Sequence, residues 1–316
     1  MTICDAAPAV LVGTAVGDSL GMPFESYSDE VHPGLAEWNG EYTEGAHHKL
    51  PAGSFTDDTE MSIALAESLI EKFAFDPADV AARYLAWSKG TPHGMGGTTR
   101  KAMKALAGGK SWKESGVVLA DPTAIGNGTA MRCAPLGVVF RRDALVPCLR
   151  TDAEITHRHV EAAAASQAVG LVVAAVIGST RPLESVDMLE YAADAARHGL
   201  PETLVSAGLD KAVQLCKKNL PPADAVAVLG RRGNAAQTVS SALYCAAYHS
   251  DNFIEGVWAA VRGGGDTDTR GAITGAVLGA RNGELGIPPR FLKGLHEVAR
   301  LRKLDVALFA LREATP

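Results

Sequence analysis

Gly13-Thr14-Ala15-Val16-Gly17-Asp18-Ser19-Leu20-Gly21 is the stretch on which the fold turns. It lies in an apolar run over residues 7–20, and its glycines recur every fourth residue. Positions four apart share one face of a helix, so the spacing predicts a helix with a smooth stripe. The rest of the chain has a matching composition. Aromatic residues make up only 6 %, while glycine alone supplies 33 of the 316 residues. Such a chain packs through small residues, which suits closely approaching helices.

Working outward, nearly every periodic segment is helical. Residues 59–72 set Met61, Leu65 and Leu69 on one stripe. Residues 77–88 begin with Asp76 as a cap and Pro77 in the first turn. Residues 99–106 form a short helix ended by Gly108-Gly109, and 159–177 a long buried one. Further helical segments cover 185–196, 202–216, 223–228, 236–248, 252–261 and 268–281, and 290–311 divides into two. Alternating strand patterns are almost absent, and residues 117–119 are too short to build a sheet. These patterns predict an all-α chain forming a single domain over 1–316, with long irregular loops at 26–55, 89–98 and 108–128. Loops of that length in a compact domain are usually functional or disordered.

Composition excludes several classes. Apolar residues at 47 % and charged residues at 21 % fit a soluble globular protein with a full core. The net charge is -6 and no strongly basic stretch stands out, so charge gives no support for nucleic-acid binding. Cys4, Cys133, Cys148, Cys216 and Cys245 are scattered without a C-x-x-C pair, which argues against a disulfide framework or thiolate zinc site. A reducing, cytoplasmic location is the expectation, with no signal peptide. Residues 162–180 carry no charge and are long enough to span a bilayer. Their many small and polar residues, without flanking aromatics, predict a buried central helix and no membrane partner.

Two acidic clusters carry the chemistry. Gly53-Ser54-Phe55-Thr56-Asp57-Asp58-Thr59 precedes one helix, and Gly263-Gly264-Gly265-Asp266-Thr267-Asp268-Thr269 precedes another. Helix capping needs one such residue per helix. Adjacent carboxylates repel unless a cation lies between them. Four carboxylates and several hydroxyls, with no His or Cys, suit hard cations such as Mg²⁺ or Mn²⁺. Two ions in one carboxylate set polarise an oxygen and activate water. Gly126-Asn127-Gly128 also has a physical logic, since exposed backbone N–H groups before a helix from about Thr129 would bind phosphate. It is no dinucleotide fingerprint, because Met131 stands where a third glycine is needed.

In order along the chain, these blocks resemble the ADP-ribosylglycohydrolase family. The resemblance rests on Gly13 to Gly21 with Pro23 and Glu25, then Phe55-Thr56-Asp57-Asp58-Thr59-Glu60-Met61. It continues through Gly126-Asn127-Gly128-Thr129-Ala130-Met131-Arg132 with Pro135-Leu136, Thr156-His157, and Gly264-Gly265-Asp266-Thr267-Asp268-Thr269. It implies a compact orthogonal helical bundle holding two Mg²⁺ or Mn²⁺ ions. By that similarity the metal ligands are Thr56, Asp57, Asp58, Asp266, Asp268 and Thr269, and the catalytic residues Glu25, Asp58 and Asp266. Gly94, Gly96, Thr98, Gly126, Asn127, Gly128, Met131 and His157 would bind substrate.

The reaction implied is hydrolysis of the glycosidic bond at C1″ of an ADP-ribosyl group, by a monomer. A non-catalytic ADP-ribose or nucleotide binder, and a metal phosphoesterase acting on the diphosphate, are the alternatives. Relatives commonly carry an Asp-Ile-Gly-Asn-Thr-Thr-Arg-like run, whereas here His93-Gly94-Met95-Gly96-Gly97-Thr98-Thr99-Arg100 puts Gly94 at the acid and Gly97 at the asparagine. That departure puts an arginine-linked substrate in doubt, or gives room for a bulkier acceptor. The linked atom (arginine, serine, nucleobase or small molecule) stays open.

Overall fold

The computed structural model describes residues 8–26, 30–45, 47–90, 92–179 and 183–314. Its centre is a pair of helices, α1 (Val10–Gly21) and the later Thr267–Asn282. Gly13, Gly17 and Gly21 face Gly275, Gly271 and Thr267, and a Cβ added at any of the three would come closer than 3.0 Å to the opposing backbone. The reverse holds for Gly271 against Gly17, Gly275 against Gly13 and Gly279 against Ala9. The smooth stripe therefore exists because two backbones touch there. Such contact leaves no room for side chains and gains dispersion energy along the whole seam. At the far end from the acidic loops, buried Asp305 accepts from the N–H groups of Leu11 (2.9 Å) and Val12 (3.1 Å), satisfying donors left free at the start of α1.

Around this pair the described residues are helical, with only isolated β-bridges. In chain order the helices after α1 begin with α2 (Asp57–Lys72), α3 (Pro77–Ser88), α4 (Gly97–Ala107), α5 (Trp112–Ser115) and α6 (Ala134–Val139). Next come α7 (Arg142–Thr156), α8 (Val160–Gly178), α9 (Ser185–Arg197), α10 (Leu204–Lys217) and α11 (Pro222–Leu229). Last are α12 (Ala235–Tyr248), α13 (Phe253–Arg262), α14 (Thr267–Asn282), α15 (Pro289–Gly294) and α16 (Val298–Ala314). One continuous core runs from Ala9 to Leu308.

The all-α expectation holds, with corrections inside the predicted loops. α5 lies in the 108–128 stretch, and α6 and α7 fall where no helix is expected from periodicity. α7 is obscured by an internal Pro147, which ordinarily breaks a helix. The chain after Gly128 turns rather than winding, so the next helix starts at Ala134 and not near Thr129. His157 ends α7 instead of opening the long helix, whose cap is His159.

That long helix, α8, is the single described helix long and apolar enough to cross a membrane, yet 72 % of its most apolar window is buried. It packs against α6, α7, α9, α12 and α14. Thr180 and Arg181, at the end of the uncharged run, lie outside the described residues, as does Cys4. The other four cysteines are free thiols.

Candidate metal and substrate site

The glycine seam ends where α1 stops and α14 starts, and this brings the two acidic loops to one place. Asp57 and Asp58 open α2, and Thr267 and Asp268 open α14. Neither Thr56 nor Asp266, at the two N-cap positions, makes a side-chain capping bond. Capping thus leaves these side chains unexplained. Both helices direct their positive ends into the cluster, which favours negative charge there.

Each loop is held from behind. Asp18, buried on α1, accepts from the Thr56 N–H (3.0 Å) and hydroxyl (2.9 Å) and from the Thr59 N–H (3.2 Å) and hydroxyl (2.7 Å). A hydroxyl has one proton, so Thr56 gives its proton to Asp18 and keeps its lone pairs for other partners. The opposite loop turns through Gly264 and Gly265, at φ +71° and +74°, a region that favours glycine. Fully buried Arg270 ties this turn down, donating to the carbonyls of Ala260, Gly264 and Arg231 and to the Ser241 hydroxyl.

Between the loops, Asp58 Oδ2 accepts a weak bond from the Thr269 hydroxyl at 3.4 Å and lies at the same distance from the Thr56 hydroxyl, whose proton is on the Asp18 side. Asp58 Oδ1 is buried with no hydrogen-bond partner. Asp266 Oδ2 accepts from Asn127 Nδ2 (2.5 Å) and the Thr238 hydroxyl (3.0 Å), and Asp268 Oδ1 from the Thr269 N–H (2.9 Å). Burial pushes the Asp57, Asp58 and Asp268 carboxyls well above the usual range, and the neighbouring carboxylates push them further. Burial raises Asp18 to about 6. Among the described residues, no Lys or Arg lines the cavity these acids face. An orphaned buried oxygen among like charges, with hydroxyls alongside, is a donor set that fits hard divalent cations.

The cavity is about 240 Å³. Its walls include Glu25, Asp57, Asp58, Asp266, Asp268 and Thr269 on the acidic side. Gly94, Gly96, Thr98, Gly126, Asn127, Gly128, Met131 and His157 form the rest of the predicted set. Thr56 stands just behind this surface, fully buried. Asn127 has a more specific position than expected: its amide is committed to Asp266. His157 packs its ring on Gly128 and pairs Nδ1 with the Thr156 hydroxyl at 2.8 Å. Burial lowers its pKa to about 3, so the imidazole is neutral near pH 7.

Gly94 explains the altered loop. At φ +88°, its added Cβ would lie 2.5 Å from Asp57 Oδ1, and the His93 carbonyl accepts from the Asp57 N–H at 2.9 Å. Open space is found instead at Gly96 and Gly97, where an added Cβ meets nothing within 4 Å.

Several residues at the site are not singled out by sequence reading. His48 Nε2 lies 2.7 Å from Glu25 Oε2, both nearly buried, and their ligand atoms with one of Asp268 fall within 4.8 Å of one another. A carboxylate can only accept, so Nε2 carries the proton of this bond. His48 comes from the turn closed by the Gly45–Leu50 bridge, and no spacing rule marks it. Arg132, fully buried, pairs with Asp152 at 3.0 Å and donates to the Gly128 carbonyl at 2.9 Å, fixing the glycine loop. Asp18 did leave a signal, as the lone charge in an apolar helix.

The family model for ADP-ribosylglycohydrolase matches residues 1–316. An uncharacterized protein of Archaeoglobus fulgidus is 31 % identical over 95 % of both chains. The ADP-ribosylarginine hydrolase Tri1 of Pseudomonas putida is 28 % identical over 96 % of this chain and 78 % of its own. A solved structure described as an ADP-ribosylglycohydrolase-related protein complex superposes with a TM-score of 0.73 at 30 % identity, covering 98 % of this chain and 99 % of that one. With its glycine-paired helices, convergent acidic loops and full-length match, the chain belongs to the ADP-ribosylglycohydrolase family.

Proposed function

We propose that this protein is a metal-dependent hydrolase that cleaves the C1″ glycosidic bond of an ADP-ribosyl group and releases ADP-ribose. The observation that carries the reading is the unpartnered Oδ1 of Asp58, buried among Asp57, Asp266 and Asp268. Thr56, Asp57 and Asp58 would hold Mg²⁺ or Mn²⁺ from one side, and Asp266, Asp268 and Thr269 from the other. When bound, two such ions would supply the positive charge that orients ribose hydroxyls and acidifies water.

Glu25 would take up the proton of the attacking water. His48 holds one of its oxygens at 2.7 Å, which leaves the other for water or the leaving atom. Asn127 and Thr238 keep Asp266 turned toward the cluster. The glycines at 126 and 128 would let the diphosphate approach backbone, and neutral His157 would offer a hydrogen bond without adding charge. A cavity of about 240 Å³ is small for a whole nucleotide, so ribose and phosphate are its natural contents.

Products decide the reading. A panel of ADP-ribosyl conjugates, incubated with and without metal, should yield ADP-ribose by mass. Release of AMP and ribose 5-phosphate would indicate the phosphoesterase, and binding without turnover the passive binder. Glu25→Gln is expected to lower kcat by about 10²–10⁴-fold with Mn²⁺ still bound, read by calorimetry. Normal turnover by that variant would remove Glu25 from the chemistry.

Stability should also report the ions. A carboxyl whose folded pKa is raised binds its proton more tightly when folded, so it loses stability as pH rises. In chelator, the Asp18 contribution should therefore be lost as pH rises from 3.8, the unfolded value, through about 6. Neutral His157, lowered to about 3, acts with the opposite sign. The melting temperature of wild type relative to Asp18→Asn isolates the first and should fall over that range. Added Mg²⁺ should raise it most at the higher pH. A gap that does not widen with pH argues against cations at these carboxylates.

A further inference from the structure

The loop that closes over Asp57 has a second side. Gly94 and Gly96 line the acidic cavity, while Pro92 and Met95 of the same loop line a separate groove of about 420 Å³ against α3 and α4. Leu85, Met95 and Met103 give the groove an apolar lining, and Lys89, Arg100 and Lys104 give it cations. No carboxylate among the described residues lines it. Among the described residues, none of these three cations pairs with an acid. The setting is unusual for the chain. Residues 89–113 contain Lys89, Arg100, Lys101, Lys104, Lys110 and Lys113 and no Asp or Glu, in a protein of net charge -6. Six cations over this stretch are too sparse to stand out in the sequence, and the fold gathers Lys89, Arg100 and Lys104 of them beside the site.

We propose that this groove docks an acidic peptide segment of the ADP-ribosylated acceptor, an inference that rests on the hydrolase reading above. With the ADP-ribosyl group in the cavity, the acceptor leaves past Gly94 to Gly97. Its neighbouring residues then lie over the outer side of that loop, where acidic side chains meet Lys89, Arg100 and Lys104. An apolar side chain among them fills the space between Leu85, Met95 and Met103. Arg100 donates to the Met95 carbonyl at 2.9 Å, which ties the loop to α4 and links the two sides mechanically. A nucleic acid would find the same cations, but among the described residues the groove offers no aromatic ring on which a base could stack.

The test uses the full-length protein with Mg²⁺ and the double variant Lys89→Glu/Lys104→Glu, both exposed positions away from the carboxylate cluster. Anisotropy of a fluorescein-labelled oligoglutamate peptide bearing one leucine reads docking without hydrolysis. The wild type should bind it, more weakly as salt rises, and the variant about tenfold more weakly. For one cleavable linkage presented on that peptide and on a glycine-serine peptide, the variant should raise KM about tenfold on the acidic conjugate only, with kcat unchanged. Equal binding by both proteins overturns the proposal, as does an equal loss on both conjugates. It is also overturned if single-stranded oligouridylate binds more tightly than the peptide and is lost in the variant. Absence of ADP-ribose release from either conjugate, with peptide binding intact, would instead refute the hydrolase reading.

Discussion

Asp58→Ala is expected to lower kcat by at least about 10³-fold, the order of losing several kcal/mol of metal-assisted stabilisation. The same substitution should raise the melting temperature of the metal-free protein. Two effects have opposite signs here. Asp58 Oδ1 has no hydrogen-bond partner and Oδ2 only the Thr269 hydroxyl at 3.4 Å, so little is lost when the side chain goes. What is relieved is repulsion from Asp18, Asp57 and Asp266, together with the desolvation of a buried acid. With Mg²⁺ present the order should reverse, because the wild type gains ligand stabilisation that the variant cannot. Parallel melts in chelator and Mg²⁺, with single-turnover release of ADP-ribose, measure both. A variant that retains full turnover, or that melts lower than wild type in chelator, contradicts the picture of strained metal ligands.

Gly17→Ala should be severely destabilising although it adds one methyl group. The new Cβ would come closer than 3.0 Å to the Gly271 carbonyl oxygen and to the backbone next to it. No side chain can rotate away, because backbone meets backbone along the seam. Overpacking of this kind costs about 3 kcal/mol, or roughly 4–5 °C in a domain of this size. Metal affinity should fall as well, since separating α1 from α14 moves Asp18 away from Asp268. Calorimetric Tm and Mn²⁺ titration would check both, and an unchanged Tm would show that the seam can open without cost.

Much of this arrangement is legible in sequence because it repeats or clusters. Helix α3 matches its predicted bounds at 77–88 since Asp76 and Pro77 mark its start chemically. The paired acids betray the site since capping cannot use them all. What escapes reading depends on contacts distant in sequence. Asp18 and Thr56 meet across 38 residues, Glu25 and His48 across 23, and Asn127 and Asp266 across 139. The spacing of glycines in α1 and α14 gives each stripe, but not that the two stripes touch. Helix α7 is missed for a local reason, Pro147, whose cost is met by burying Leu145, Leu149 and Ile155.

The glycine seam also dictates an order of events at the ribosome. The Thr267 hydroxyl bonds to the Gly21 carbonyl across 246 positions, and Asp305 caps α1 across 294. During synthesis the greasy segment 10–21 emerges and then waits while the 246 positions that separate Gly21 from Thr267 are made. Contacts of such range close slowly, and an apolar helix left waiting invites mispairing or chaperone capture. Because the same late docking assembles the carboxylate cluster, nascent chains should gain ion affinity only after residue 282 has cleared the exit tunnel.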